Sequence, residues 1–258
     1  FYVGNAETGE RVFSHKLPGI DVVWAIDVGP DNNVYFSGTS NGKLYVYLTE
    51  EMKVEEYGPL PDHKFIWDIK VSEAGKVYMA TYNKGTAGKV YEFDIASKTF
   101  RDLGGMKEGA EYVRGLGVDG NDLYAGVGGV TGSVIKYDLT TGEKEEITVE
   151  EPPTMFADVM VVQDKIIASI GTTVYVFDKT TYEHLDTLKT DGKMISPPSP
   201  YNDALVYYKA NKTELYSYNV ETLESTLIEG IPPLPSTGLK DTTWVTLTQG
   251  EKAGRTVL

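Results

Sequence analysis

"KVYEFDIASKTFRDLG", residues 89–104, decides the fold. Tyr91 and Phe93 alternate with Val90 and Glu92, the period-two pattern of a strand with two different faces. Asp94 then opens a polar turn, and a second strand begins around Phe100. The same phrase returns as "LYVYLTEEMK" (44–53), "VIKYDLTTGE" (134–143), "VYVFDKTTYE" (174–183) and "LYSYNVETLE" (215–224), and the chain opens on "FYVGNAETGE" (1–10).

The second position of each phrase is Tyr2, Tyr45, Tyr91, Ile135, Tyr175 and Tyr216, with successive spacings of 43, 46, 44, 40 and 41. Wrapping from Tyr216 past Leu258 back to Tyr2 gives 44, so the interval across the ends matches the rest. Each unit holds four short alternating segments. In the second unit they are "FIWDIKV" (65–71), "KVYMATY" (76–82), "KVYEFDI" (89–95) and "TFRDL" (99–103), with Ala74-Gly75, Gly85, Gly88 and Ala96-Ser97 between them. "PDNN" (30–33), "DGND" (119–122) and "YNDA" (201–204) supply the first hairpin turn in other units.

Four antiparallel strands per 40–45 residues predict the blade of a β-propeller. The expected architecture is all-β: a six-bladed β-propeller of four-stranded antiparallel blades. The blades run approximately 20–61, 62–110, 111–153, 154–190 and 191–234, with 235–258 plus 1–19 as the sixth. With strands named A to D, residues 1–18 supply C and D of that last blade. "TTWVTLT" (242–248) and "RTVL" (255–258) supply A and the start of B, closing the ring without an open edge. Almost nothing separates Val257 from Tyr2 across the ends, whereas 10 residues separate Tyr35 from Tyr45 and 13 separate Tyr78 from Tyr91. Five blades with frayed ends are therefore the alternative.

Length suits one β-domain. The formal charge is −14, which disfavours nucleic acid and anionic lipid surfaces. No apolar run is long enough for a transmembrane helix. Absence of cysteine removes disulfides, thiolate metal sites and cysteine nucleophiles, and three histidines make a His-rich metal site unexpected. No leader pattern is visible at the start. A start in mid-motif predicts a module of a larger protein.

"WAIDVGPDNNVYFSG" (24–38) and "IKYDLTTGE" (135–143) resemble the broad bacterial propeller group that includes NHL, SMP-30/gluconolactonase-like and streptogramin-lyase-like proteins. The resemblance covers nearly the whole chain at the level of fold. It implies inner A strands around a central channel, with a ligand mouth formed by D–A and B–C loops. Among the lactonases of that group, carboxylate and amide side chains hold a divalent cation at the channel.

Aligning the A strands gives "WAIDV" (24–28), "WDIKV" (67–71), "RGLGV" (114–118), "ADVMV" (157–161), "SPPSP" (196–200) and "WVTLT" (244–248). All three tryptophans share one position, taken by Arg114, Ala157 and Ser196 elsewhere. Trp24, Trp67 and Trp244 would offer flat faces to the C–H-rich side of a sugar, and Arg114 would fork onto a carboxylate. Tyr112 and Asp241 complete the expected ligand-binding set. The competing account packs the tryptophans between blades, with Ile26, Val28, Ile69 and Val71 as core. His63, Tyr112 and Arg114 are the candidate catalytic residues for β-elimination from a uronate. Asp27, Asp68 and Asp158 on A strands are the candidate metal ligands, which would suit calcium in the channel. "ISPPSP" (195–200) reads as an edge strand carrying prolines. "GVGGVTGS" (126–133) reads as a strand connection, and "NKT" (211–213) matches a glycosylation sequon.

Three functions compete. The leading one is a non-catalytic ligand-binding or scaffold propeller, a carbohydrate-binding module of a bacterial extracellular or cell-surface protein. The others are a carbohydrate-active lyase or metal-dependent hydrolase, and a structural ring whose partner is a protein.

Overall fold

The computed structural model describes residues 1–5, 7–62, 64–82, 84–149, 154, 157–196, 198–199, 203–209, 214–230, 245–246 and 256–257. Every regular element among them is a β-strand. The chain divides into two compact units, Phe1–Asn5 with Glu10–Met160, and Ala6–Gly9 with Val161–Leu258.

The first unit opens on a hairpin of β1 (Tyr2–Gly4) and β2 (Arg11–Ser14). Three antiparallel meanders follow, one per sequence repeat. The first runs β3 (Val23–Val28), β4 (Val34–Gly38), β5 (Leu44–Leu48), β6 (Lys53–Tyr57). The second runs β7 (Phe65–Val71), β8 (Lys76–Tyr82), β9 (Lys89–Asp94), β10 (Thr99–Gly105). The third runs β11 (Tyr112–Asp119), β12 (Asp122–Gly128), β13 (Ser133–Asp138), β14 (Lys144–Ile147). The boundary between units falls inside β15 (Ala157–Val162).

The second unit continues with β16 (Lys165–Ile170), β17 (Thr173–Asp178), β18 (His184–Ile195), β19 (Leu205–Lys209), β20 (Leu215–Asn219) and β21 (Glu224–Leu227). Each pairs antiparallel with the next. A hairpin of β22 (Val245–Thr246) and β23 (Thr256–Val257) ends the described chain.

Both faces of the middle strands are covered, so β4, β8 and β12 are buried almost along their length. Tyr35, Leu44, Val46, Ile69, Val77, Met79, Tyr91 and Phe93 form the core between the first two meanders. Tyr78, Ala80, Val90, Leu116, Leu123, Ala125 and Val127 form the next. Residues of opposite parity on one strand, such as Val77 and Tyr78, thus serve different cores. Each fully buried side chain of this size contributes roughly 1.5–3 kcal/mol.

The opening phrase resolves as β9, a turn and β10. The carboxylate of Asp94 accepts the Ser97 N–H, and the same side-chain turn recurs where Asp138 accepts from Thr140 and Thr141, Asp178 from Thr180 and Thr181, and Asn219 from Glu221 and Thr222. Four residues after the C-strand end, the backbone enters the left-handed region at Met52, Lys98, Gly142, Tyr182 and Leu223.

The fifth unit departs from the expected strand. β18 is one 12-residue strand that pairs with β17 through its first half and with β19 through its second, reaching Ile195 opposite Tyr207. Ser196, Pro198 and Ser199 lie beyond it in non-strand backbone. Ser199 then starts the hairpin turn, its N–H donating to the Ala204 carbonyl. Proline cannot donate to a ladder, which explains why pairing stops before this run.

Candidate functional site

The site is built by a repeated irregularity in the A strands. The β3–β4 register slips between Val23 and Ala25, β7–β8 between Ile66 and Asp68, and β11–β12 between Val113 and Gly115. The extra residue in each case is Trp24, Trp67 or Arg114. A bulge leaves one residue unpaired and re-aims its side chain, and it does so here at the position shared in the sequence.

The three side chains meet. The indoles of Trp24 and Trp67 stand edge-to-face with centroids 4.6 Å apart. The guanidinium carbon of Arg114 lies 4.1 Å from the Trp67 centroid and 5.9 Å from that of Trp24. Tyr112 stacks on Tyr82 at 4.1 Å, and Phe65 lies 6.2 Å from Trp67 in near-parallel orientation. Burial and the hydrogen bond with Tyr82 push the Tyr112 hydroxyl above its usual range. Trp24 stays 41% exposed, while Trp67 and Arg114 are half-buried. The buried indole Nε1–H of Trp67 has no acceptor among the described residues. Such a group costs about 1–3 kcal/mol when unsatisfied.

Below this cluster sits a row of charges. Asp27 accepts from Val28 through Oδ1 and from Val71 through Oδ2, at 3.0 and 2.8 Å. Asp68 accepts from Ile69 through Oδ1 and from Leu116 through Oδ2, at 2.9 and 2.8 Å. Each carboxylate thus links its own A strand to the next. The Lys70 ammonium is 3.8 Å from Asp68 Oδ1, and the Asp68 charge raises its pKa. Burial raises the Asp68 carboxyl despite Lys70 and the two N–H donors. Asp158 is solvent-exposed. Protein packed around it, and then the charge of Asp68, push its carboxyl up to about 6 against the pull of Arg114 and Lys70.

Among the described residues no three His, Asp or Glu side chains converge where one ion could sit. The calcium site expected at Asp27, Asp68 and Asp158 is not assembled there: two of the three aspartates are engaged by backbone N–H groups, and Lys70 supplies the local cation. Trp24, Trp67, Tyr112 and Arg114 are neighbours in one cluster. His63, Asp241 and Trp244 lie outside the described residues. Ile26 and Val28, expected as core, are 56% and 58% exposed. At the position matching Ile26, Ile69 and Leu116 are fully buried against a preceding meander; β3 has no such neighbour among the described residues. The Arg114 stacking and the Lys70–Asp68 pair were missed by sequence reasoning, although both cations stand in the aligned A strands.

No protein-family model and no curated protein matches this sequence. Several solved structures do share the fold. A catalytically inactive variant of virginiamycin B lyase from Staphylococcus aureus with quinupristin superposes with a TM-score of 0.68 at 12% identity, covering 88% of this chain and 75% of that one. A streptogramin B lyase gives 0.67 at 16%, covering 86% and 72%. A chain of the mitotic checkpoint complex gives 0.65 at 14%, covering 90% and 75%. At these identities the likeness is one of fold: the chain is all-β and shares the β-propeller fold of the streptogramin-lyase type.

Proposed function

We propose that this chain is a non-catalytic ligand-binding propeller that takes an acidic carbohydrate at the Trp24–Trp67–Arg114 cluster. The observation that carries the reading is the guanidinium of Arg114 held 4.1 Å over Trp67 and beside the exposed Trp24. An indole face suits the C–H side of a pyranose, and a guanidinium suits the carboxylate of a uronic acid. The Trp67 Nε1–H adds a donor in need of an acceptor. An organised cation inside a chain of net charge −14 also gives an anionic ligand one place to settle.

The same proposal includes six blades. Five repeat units are followed by β22–β23 as strands A and B of a sixth, and β1–β2 would provide its C and D. An extracellular or cell-surface bacterial module is the setting that fits an oligosaccharide ligand.

A second reading, an enzyme eliminating across a uronate, is favoured by one observation: the solved structures of like fold include lyases. In it Arg114 neutralises the substrate carboxylate, with His63 and Tyr112 as the proton-transfer candidates.

The test is a titration of tryptophan fluorescence with uronic-acid and neutral oligosaccharides, alongside Trp67→Ala and Arg114→Ala. Saturable quenching by the acidic series, weakened by both substitutions, supports the site. No response to either series refutes it. Appearance of unsaturated product in the same samples selects the enzyme reading.

A further inference from the structure

A second concavity lies on the first unit, between the β1–β2 hairpin and the connection that leads from β2 into β3, with a volume of about 410 Å³. That is the scale of a small-molecule pocket. It shares no residue with the Trp24–Trp67–Arg114 cluster. On the hairpin, Tyr2 pairs with Ser14 and Gly4 with Arg11 across a register slip, so these four share one face. Val3 and Phe13 turn the other way, into a core with Phe36 and Tyr47. Gly4 offers Arg11 no side chain to pack on, and the guanidinium carbon lies 5.4 Å from the Tyr2 ring centre instead. On the connection, Leu17 is buried and its carbonyl accepts the Ile20 N–H at 3.3 Å, a turn that Gly19 permits with a φ of 72°. Ile20 then packs directly over Gly38, where a Cβ would lie 2.3 Å from the Ile20 Cγ2. The Val22 carbonyl accepts the Thr39 N–H at 3.0 Å and fixes the same segment to the end of β4. Leu17, Ile20 and Val23 with the Phe1 ring thus make an apolar floor that is continuous with the core.

The rim is cationic. Arg11 and Lys16 stand on it, and Asp21 is the only carboxylate among the lining residues. Elsewhere Lys43, Lys76, Lys89 and Arg101 are matched with acids, whereas neither Arg11 nor Lys16 is in an ion pair among the described residues. In a chain of net charge −14, two unmatched cations over an apolar floor are complementary to an anion with an apolar body. A guanidinium forks onto a carboxylate. The His15 ring, stacked parallel to Phe13 at 6.4 Å, brings a further N–H donor to the rim.

We propose that this pocket binds a small-molecule monocarboxylate with an aliphatic body, its chain on Leu17, Ile20 and Val23 and its carboxylate on Arg11 and Lys16. Two cations against the single Asp21 suit one negative charge. The ligand differs from the acidic carbohydrate proposed for the aromatic cluster, and the two sites stand or fall separately.

The experiment titrates the whole chain with octanoate and with its neutral analogue octanamide by isothermal calorimetry at neutral pH, and follows backbone amide and indole N–H signals by NMR. The proteins are wild type, Arg11→Gln, Lys16→Gln and, as a surface-charge control outside the pocket, Lys64→Gln, each verified as folded by circular dichroism. Octanoate should bind one-to-one and at least about tenfold more tightly than octanamide, since hydrogen bonds to a charged group carry the difference. Arg11→Gln and Lys16→Gln should each weaken octanoate by about tenfold and leave octanamide unchanged. Lys64→Gln should bind as the wild type does. Amide shifts should concentrate between Arg11 and Val23 and leave the Trp67 indole N–H in place. Absence of octanoate binding, equal affinity for the two probes, or full affinity in Arg11→Gln overturns the proposal. So does a response at the Trp67 indole instead of the pocket, which moves the ligand to the aromatic cluster. An equal loss in Lys64→Gln also overturns it, because the attraction then belongs to the surface charge at large.

Discussion

The guanidinium carbon of Arg114 stands 4.1 Å from the centre of the Trp67 ring, on the neighbouring A strand and one repeat away in sequence. A cation over an indole face contributes about 0.5–2 kcal/mol, more as the pair is desolvated. Arg114→Ala should lower stability by that amount in a urea melt and alter the tryptophan emission of the native state. Arg114→Lys should recover part of the stability, because a point charge keeps the electrostatic attraction but loses the planar stacking.

Asp68 does two jobs that one pair of substitutions separates. Its Oδ2 accepts the Leu116 N–H at 2.8 Å, and its charge raises the Asp158 carboxyl. Asp68→Ala leaves that N–H without its acceptor and should cost about 1–3 kcal/mol in thermal or urea unfolding. Asp68→Asn keeps an acceptor, should cost less, and should move the Asp158 titration midpoint down. Carboxyl-carbon NMR of Asp158 reads that shift directly.

Stability should have a maximum on the acidic side of neutrality. Asp158 and Asp68 have folded-state values raised above those of the unfolded chain, so the native state binds more protons in the window between the two. Their contribution therefore grows as pH falls from about 7 towards 4. Asp94, Asp138 and Asp178 are held low, by Lys76 in the first case and by backbone N–H groups in the other two. Their contribution is present above the unfolded value near 4 and is lost as pH falls below it. A melting-temperature series from pH 8 to pH 3 should rise and then fall. Asp158→Asn should flatten the rise without moving the acid limb.

The five C–D turns share one backbone path but not one residue. Met52, Lys98, Tyr182 and Leu223 have φ of 51°, 58°, 58° and 60°, where the third repeat supplies Gly142; in the β1–β2 turn the equivalent residue is Gly9, at 73°. A side chain in this conformation costs roughly 1–2 kcal/mol, partly offset by the entropy glycine loses on folding. Met52→Gly and Leu223→Gly should each raise the unfolding midpoint by about 0.5–1 kcal/mol equivalent. Gly142→Leu should lower it.

The repeat was legible because its signals are short-ranged. β7, "FIWDIKV", was read to the residue, since alternation and the flanking turn act within a single strand. The common position of Trp24, Trp67 and Arg114 was legible too, as an alignment. What alignment does not carry is the bulge at each of them, because a register slip depends on where the partner strand's hydrogen bonds fall. The same limit explains "ISPPSP". A proline-bearing edge strand was compatible with local pattern, but β18 had already met its partner Tyr207 by Ile195. The aspartates looked like metal ligands for a similar reason: side-chain type is visible in sequence, and the N–H groups of Val71 and Leu116 that engage Asp27 and Asp68 are not.

Strand, turn and repeat length follow from amino-acid order alone, because period-two alternation and Asp or Asn side-chain turns work over a few residues. Which faces of β4, β8 and β12 are buried follows as well, since both parities of those strands are apolar or small. The cluster of Trp24, Trp67 and Arg114 is a product of tertiary structure. Arg114 reaches Trp67 only when the second and third meanders stack with their A strands, β7 and β11, side by side. The protein packed around Asp158, and then the charge of Asp68, push its carboxyl up to about 6, which no local pattern in the sequence carries.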